Sequence, residues 1–235
     1  MNQRDVEEVL RHGAVTIEGR IVASSNNALY GTFELNGITL AGCIKAEAGE
    51  RPLWDFPDGL WRREIAAYQL DHHLGQRHVP PTVFRDDFEF GVASVQMWVN
   101  DNGDDHYFTL RDSGGHDVWL RSVAVFDALI NNADRKAGHI IFDNDDCWAI
   151  DNGLSFHIED KLRTVIWDWA GDPFDDGARD MLHAAAEIPH TVLDEWIAPA
   201  EIDALRERAH RLLAAGEFPL PDEDGDYPPY PWPLI

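Results

Sequence analysis

Cysteine, basic residues and long apolar runs are all scarce in this sequence. The two cysteines, Cys43 and Cys147, lie far apart and have neither the spacing of a metal site nor the pattern of a disulfide framework. No apolar run approaches the ~18 residues that a membrane-spanning helix needs. The polar N-terminal sequence MNQRDVEEVLRHG differs from a secretory signal. We therefore expect a cytoplasmic protein with reduced thiols and without stable membrane anchoring.

The shortage of positive charge limits the classes of partner. Nineteen Lys and Arg residues stand against 43 Asp and Glu residues, which gives a formal net charge of −24. Such a charge repels phosphate backbones and anionic lipid headgroups, so we expect no nucleic acid as a partner. A nucleotide ligand remains compatible with this charge, because a bound Mg²⁺ can offset carboxylates locally.

Apolar residues are plentiful, and their order along the chain predicts the fold class. They make up 44% of the 235 residues, which is enough for a sizeable core. Alternation and turn residues predict strands in residues 14–23, 29–36, 38–47, 79–86 and 91–99. Helical periodicity is found in residues 5–12, 60–75, 117–132 and 174–214. Because strands come first and helices later, we predict an α+β protein of two lobes.

The domain organisation follows from the same order. We predict a β-rich N-lobe in residues 1–99 and a mainly helical C-lobe in residues 100–217, with a hinge near Trp98. Residues 218–235 are rich in proline, aromatic and acidic residues, and they should form an extended tail.

The stretch INNADRKAGHIIFDNDDCWAIDNGLSF (residues 130–156) gathers polar side chains at one end of a predicted hairpin. HIIF leads out, DNDD turns and CWAI returns, so the outer ends of two antiparallel strands meet. Asp134, His139 and Asp151 should therefore lie close together. Taken alone, however, Asp134 and Asp151 are explained equally well as turn-forming residues.

The spacing of these residues favours a catalytic site. Asp134 and His139 are separated as Asp and Asn are in the kinase catalytic loop D-x-x-x-x-N, and Asp151 follows the next hairpin, as the kinase metal-binding Asp does. Lys45 on the third predicted strand and Glu64 on the next helix could supply the ion pair that places an ammonium at nucleotide phosphates. Each residue alone could be a solvated surface charge. Four such residues in this order along the chain are much less expected by chance than any one of them alone.

Three segments resemble a known kinase family. AIDNGLSF resembles the metal-aspartate segment of the type II phosphatidylinositol 4-kinases, and NNADRKAGH resembles their N-x-D-R catalytic segment. VASSNNALYGTF resembles the serine-containing hairpin that replaces the glycine-rich loop in those kinases. Over residues 14–170 the wider resemblance is to bacterial proteins of the phosphatidylinositol 3- and 4-kinase-like group. It implies a two-lobed protein-kinase-like fold and a kinase, a phosphotransferase that uses ATP with Mg²⁺ or Mn²⁺.

The resemblance also implies a role for each matching position. Asp134 would be the catalytic aspartate, and Arg135 would brace the catalytic loop or the phosphates. Asp151 would bind the metal that bridges the phosphates. Lys45 would contact the phosphates, and Glu64 would position Lys45.

The same resemblance implies two contacts with the nucleotide through the backbone. Amides of the serine-containing hairpin would cover the phosphates, namely those around Ser24, Ser25 and Asn26. The segment VQMWV (residues 95–99) would be the hinge that reads adenine, through backbone groups at Gln96, Met97 and Trp98.

His139 departs from the family pattern, which has Asn at this position. A neutral imidazole can ligate a divalent metal and shifts the preference toward softer ions such as Mn²⁺. The alternative is that His139 faces elsewhere and that a single metal is well held.

The acceptor of the phosphoryl group stays open between a soluble metabolite and a protein hydroxyl. The acidic chain argues against an inositol lipid as the main substrate. A nucleotide-binding pseudokinase that acts through contacts is an alternative, because His139 replaces Asn and the glycine-rich loop is missing. Transfer of AMP in place of the γ-phosphate is another. The sequence does not determine the oligomeric state.

Overall fold

Five antiparallel strands form a single sheet in the first part of the chain. The computed structural model describes residues 1–22, 27–100, 103, 105–143, 146–225 and 227–235. The strands are β1 (Ala14–Arg20), β2 (Leu29–Leu35), β3 (Ile38–Ala46), β4 (Thr82–Phe88) and β5 (Gly91–Met97), and their order is β1-β2-β3-β5-β4. Asn36 and Gly37 join β2 to β3 with φ of +52° and +78°, as a two-residue hairpin turn requires. Strands β1, β2 and β3 thus pair antiparallel in chain order, and β5 and β4 extend the sheet.

Two helices accompany the sheet. Helix α1 (Gln3–His12) begins where the Asn2 side chain accepts a hydrogen bond from the Asp5 N–H at 2.9 Å, and it buries its apolar residues against the sheet. Helix α2 (Leu60–His73) begins where both carboxylate oxygens of Glu50 accept backbone N–H groups, from Gly59 at 3.0 Å and Trp61 at 2.6 Å. This cap fixes the start of α2, one turn before Glu64.

The second part of the chain is mainly helical. It contains α3 (Tyr107–Ser113), α4 (Asp117–Ile130), α5 (Asp176–Ala186) and α6 (Pro199–Ala215), with a two-stranded ribbon of β6 (Ile140–Asp143) and β7 (Asp146–Ala149). The α+β class is therefore confirmed. Helix α3 was not predicted, because seven residues are too few to show a helical period. None of the helices in the described part of the chain is long and apolar enough to cross a membrane.

The C-terminal segment is held against the rest of the protein through its backbone. The carbonyl oxygen of Pro229 accepts from the Thr164 N–H at 3.1 Å, and that of Leu234 accepts from the Ala137 N–H at 2.7 Å. Residues 218–225 and 227–235 contain no helix or strand. The extended tail and the domain boundaries at residues 99 and 217 therefore stay predictions.

A buried ion pair ties α2 to α6. Arg63 is 3% exposed and donates to the Ser155 carbonyl oxygen at 2.6 Å and to Glu201 on α6. Glu201 also caps its own helix by accepting from the Ala198 N–H at 2.8 Å. The Glu201 carboxylate thus joins α2 to the helical part of the protein.

We expect Glu201→Ala to lower the free energy of unfolding by about 3–5 kcal/mol, because it leaves the Arg63 guanidinium buried without its carboxylate. Urea denaturation measures this loss. The exposed Glu195 provides the control, and Glu195→Ala should stay within about 0.5 kcal/mol of the wild type. Equal stabilities of the two variants would contradict the role of the ion pair.

Candidate active site

Lys45 lies between two carboxylates that come from distant parts of the chain. Its ammonium on β3 donates to Glu64 of α2 and to Asp151 Oδ1, the latter at 2.7 Å. Burial opposes the charged form of Lys45, but Asp151 and Glu64 outweigh it and hold the pKa of Lys45 well above its ordinary value. The structure therefore brings three of the predicted site residues into direct contact.

The segment after β7 is fitted closely to α2. Asp151 adopts a left-handed conformation with φ of +59°. The Asn152 N–H donates to Glu64 Oε2 at 3.0 Å, and a Cβ on Gly153 would lie 3.1 Å from Glu64 Oε1. Glycine at position 153 thus permits the approach to Glu64, which is 2% exposed. Burial raises the pKa of Glu64, and Lys45 opposes that shift.

Arg135 is a buried support of the site. It is fully buried and donates to both oxygens of Asp127, at 2.9 Å, and to Ile150 O and Asn152 Oδ1, each at 2.6 Å. Of the two roles that the sequence left open, these contacts favour the brace of the loop. Nε, Nη1 and Nη2 are each bonded to protein oxygens, and the role of Arg135 stays a prediction.

Asp127 was missed by the sequence analysis. It lies near the end of α4 and is fully buried. An acidic residue within the apolar run of a core helix was the available signal, since a buried carboxylate requires a cationic partner.

Asp134 lies on the loop between α4 and β6. Its backbone N–H donates to Asn132 Oδ1 at 3.0 Å, and its carboxylate Oδ2 accepts from Lys136 Nζ at 2.8 Å. Burial raises the pKa of the Asp134 carboxyl, while the charges of Lys136 and Arg163 act in the opposite direction. Lys136 was missed by the sequence analysis, although a cation two residues after a candidate catalytic Asp was a visible signal.

A small cavity joins these groups. Its volume is about 40 Å³, and its lining includes Lys45, Glu64, Asp134, Asp151 and Gly153. The Lys45 pair and Asp134 thus face one space, although they lie on separate elements. Because the volume corresponds to no more than one or two waters, a larger ligand would have to bind across its opening.

His139 lies beside Asp151, as the hairpin predicted. It ends a 3-10 turn, Ala137–His139, and does not begin β6 as expected. Its Nε2 is 3.3 Å from Asp151 Oδ2. Burial lowers the pKa of His139 to about 4, against the attraction of Asp151. The imidazole is therefore neutral at pH 7, and its Nδ1 accepts from the Lys136 N–H at 3.4 Å.

Asp151 and His139 fit a divalent metal that shares its coordination shell with phosphates. Asp151 stays ionised, because the ammonium of Lys45 outweighs the effect of burial and holds the pKa of Asp151 well below the usual range. Among the described residues no group of three His, Cys, Asp or Glu side chains forms a metal site. Two protein donors suit Mg²⁺ or Mn²⁺ bound through one or two ligands plus substrate phosphates and water.

The predicted nucleotide contacts belong to two segments, the serine-containing hairpin and the hinge. Ser24, Ser25 and Asn26 lie outside the described residues. In the predicted hinge, the N–H groups of Met97 and Trp98 donate to carbonyl oxygens of Pro81 and Ala41.

Gln96 is also engaged within the sheet. It is 7% exposed, and its side chain donates to Thr82 at 2.9 Å. A contact of adenine with the N–H groups of the hinge would require bonds of the sheet to be exchanged, and the hinge role stays a prediction.

Comparisons with known proteins place these features in a context. No family model matches the chain. Protein Rv2133c of Mycobacterium tuberculosis is similar to it, with 39% identity over an alignment of 276 positions that covers 100% of this chain and 98% of that protein. Phosphatidylinositol 4-kinase gamma 4 of Oryza sativa subsp. japonica is 33% identical over 137 residues, which cover 48% of this chain and 23% of that protein.

A solved structure shares the architecture. The structure of hydra Fam20 with sugar superposes with a TM-score of 0.60 at 14% sequence identity, covering 90% of this chain and 87% of that chain. This likeness concerns the fold. The two-lobed kinase-like fold that the sequence predicts is therefore confirmed.

The low pKa of His139 predicts a pH dependence in the metal-free protein. The unfolded chain takes up a proton on this imidazole near pH 6.5, whereas the folded protein does so near pH 4. The contribution of His139 to stability is therefore complete above pH 6.5 and is lost as the pH falls toward 4.

Between pH 7.5 and pH 4.5, the wild type should lose on the order of 2 kcal/mol more unfolding free energy than His139→Asn. Urea denaturation at both pH values measures the difference. Parallel losses in the two proteins would show that His139 titrates normally.

Proposed function

We propose that this chain, which belongs to the same family as protein Rv2133c of Mycobacterium tuberculosis, is an ATP- and divalent-metal-dependent phosphotransferase. Its acceptor is a hydroxyl group of a soluble small molecule or a protein. One observation carries the proposal: Lys45 is held by Glu64 and Asp151, and the same cavity is lined by Asp134. Phosphoryl transfer needs a cation that binds the phosphates, a carboxylate that binds the metal and a group that orients the acceptor.

Lys45 supplies a fixed positive charge to the phosphates. Its two carboxylates keep it protonated, and Glu64 is itself held by the Asn152 N–H. Asp151 can exchange its bond to Lys45 for a metal ligand, since 43% of its side chain is exposed. The rigid partner Glu64 would then keep the ammonium in place.

A divalent metal bound at Asp151 would neutralise the phosphate oxygens and orient them for in-line transfer. Asp151 and His139 are the residues that would hold it. His139 is neutral at pH 7. Binding of a metal at its Nε2 would require the ring proton to move to Nδ1, which now accepts from the Lys136 N–H.

Asp134 would receive the acceptor hydroxyl. Its carboxylate is three-quarters buried and accepts from Lys136, so a hydroxyl that enters the cavity can donate to the remaining oxygen. Lys136 then lies beside both the carboxylate and the transferred group. Its charge would stabilise the transfer, while Asp134 orients the hydroxyl and accepts its proton.

The finer family assignment is also a proposal. The match to the rice phosphatidylinositol 4-kinase supports a phosphatidylinositol 3-/4-kinase-like enzyme, although the aligned region spans 23% of that protein. The net charge of −24 argues against an inositol lipid in an anionic bilayer as the main acceptor.

We expect a screen of metabolites and proteins with labelled ATP and Mg²⁺ or Mn²⁺ to reveal an acceptor whose labelling depends on Asp134. Asp134→Asn should lower the transfer rate by about 10²–10⁴-fold, because it removes the proton acceptor but keeps the side-chain shape. Nucleotide affinity, measured by calorimetry, should be nearly unchanged.

The same screen separates the alternatives. Nucleotide binding with neither transfer nor Asp134-dependent hydrolysis would favour the pseudokinase, which the His139 position also suggests. The mass of the labelled product distinguishes a phosphoryl group from AMP.

We expect Asp151→Ala to abolish metal-dependent nucleotide binding, because it removes the proposed carboxylate ligand of the metal. Calorimetry with ATP and either Mg²⁺ or Mn²⁺ measures this loss. Gly138→Ala is a control on the neighbouring loop, where a Cβ has its nearest atom at 3.9 Å, and it should bind as the wild type does. Unchanged binding in Asp151→Ala would contradict the metal assignment.

A further inference from the structure

A second, larger cavity lies beside the loop that carries Asp134. Its volume is about 790 Å³, and its walls come from residues 159–163, from α6 and from the C-terminal segment. Four of the 19 basic residues of the chain line it, namely Lys161, Arg163, Arg208 and Arg211. The volume is in the range of small-molecule sites, which span roughly 300–1,000 Å³.

Two of these four cations have structural partners. Arg208 donates to the carbonyl oxygens of Leu129, at 3.0 Å, and His157, at 2.9 Å. Arg211 forms two hydrogen bonds with the Asp160 carboxylate, at 2.7 and 2.9 Å. These bonds hold α6 against the preceding part of the chain, although the Nε of Arg208 is also buried without a hydrogen bond.

Arg163 has no such partner among the described residues. No carboxylate there lies within 4.0 Å of its guanidinium, and its Nε is buried without a hydrogen bond. The guanidinium lies over the ring of Tyr227, 5.4 Å from the centroid. The side chain as a whole is half-buried, and its buried Nε lacks an acceptor that an anion of a ligand would supply.

Lys161 offers a second cation to the same space. Its side chain is 10% exposed, and its ammonium stands 3.8 Å from both Asp55 and Glu159, beyond hydrogen-bond distance. It also lies over the ring of Tyr227, at 5.7 Å. Lys161 and Arg163 therefore share one aromatic wall, and both have donors left for a ligand.

The backbone places this pair next to the proposed catalytic residue. The Arg163 N–H donates to Asn132 O at 2.9 Å, and Arg163 O accepts from the Arg135 N–H at 3.0 Å. Residue 163 is thus bonded on both sides of Asp134. The two side chains line different cavities, but the charge of Arg163 opposes the rise that burial causes in the pKa of Asp134. An anion at Arg163 would therefore lie within electrostatic reach of the carboxylate that is proposed to orient the acceptor.

We propose that Lys161 and Arg163 form an anion subsite for the acceptor, which is a small soluble molecule that carries a hydroxyl together with a phosphate or carboxylate group. The proposal rests on the phosphotransferase function proposed above. The ammonium and the guanidinium hold the anion by charge-assisted hydrogen bonds, and Tyr227 contacts the carbon skeleton. A soluble ligand is favoured over a lipid because the net charge of −24 repels anionic surfaces.

Calorimetry on the full chain tests the subsite with a matched pair of probes, sn-glycerol 3-phosphate and glycerol. We expect saturable binding of glycerol 3-phosphate and none of glycerol. Arg163→Gln and Lys161→Gln should each weaken glycerol 3-phosphate binding about tenfold or more, because each removes a charge-assisted contact. Arg4→Gln, an exposed change of the same charge on α1, should bind as the wild type does.

Binding to lipid vesicles distinguishes a soluble phosphate ligand from a lipid headgroup. Phosphatidylcholine vesicles that contain phosphatidylinositol should not bind the protein. Arg163-dependent binding to these vesicles, without binding of glycerol 3-phosphate, would overturn the assignment to a soluble ligand.

Titration of the same proteins with ATP and Mg²⁺ keeps the two proposals distinct. Arg163→Gln and Lys161→Gln should bind the nucleotide within about twofold of the wild type, because they change the acceptor side alone. Absence of nucleotide binding in the wild type would contradict the proposed function. Normal nucleotide binding with equal glycerol 3-phosphate affinity in wild type and variants would overturn the subsite.

If Arg163→Gln fails to fold in thermal melting, Lys161→Gln and Arg163→Lys decide the question.

Discussion

The ion pairs of Lys45 are the interaction on which the proposed site depends, because they join three parts of the fold. Lys45 belongs to the sheet, Glu64 to α2 and Asp151 to the segment after β7. One ammonium thus fixes the distance between the sheet and the ribbon of the helical part. Since Glu64 also accepts the Asn152 N–H, its carboxylate is held from both sides. A cation and a carboxylate that are held in this way would supply the preorganisation that the proposed phosphoryl transfer requires.

A buried ion pair between Arg135 and Asp127 supports the ion pairs of Lys45. Arg135 follows Asp134 in the chain and is bonded to Asp127, Ile150 and Asn152. The loop that carries Asp134 and the segment that carries Asp151 are therefore held by the same guanidinium. Removing the charge of Arg135 or of Asp127 would leave the other residue buried without its ion-pair partner. This costs far more stability than the loss of a surface ion pair. The network explains why two residues 17 positions apart can keep a fixed spacing.

Much of this fold was predictable because its signals are local. The Asn36-Gly37 turn and the alternation of β2 and β3 specify a hairpin without help from the rest of the chain. The contact between Lys45 and Glu64 followed from their order on a strand and the next helix. The burial of Arg135 did not, because it depends on Asp127 and Asn152, which meet it in the folded protein alone. Likewise, the cavity at Arg163 is closed by Tyr227, 64 positions later in the chain, and no sequence period reports such a contact.

The distribution of positive charge links these features. The sequence has three lysines, and each lies at a proposed ligand contact: Lys45 at the phosphates, Lys136 at Asp134 and Lys161 at the larger cavity. The surrounding chain carries a net charge of −24. Its long-range field repels anions, whereas the lysines attract them within a few ångströms, where screening by salt is weak. Such an arrangement disfavours extended polyanions and membrane surfaces, which meet the whole negative surface, and it admits small anions that fit inside. Four carboxylates also line the larger cavity, namely Glu159, Asp160, Glu217 and Asp222. Selection of a small anion there would therefore depend on short-range contacts with Lys161 and Arg163, since the cavity as a whole is not positively charged.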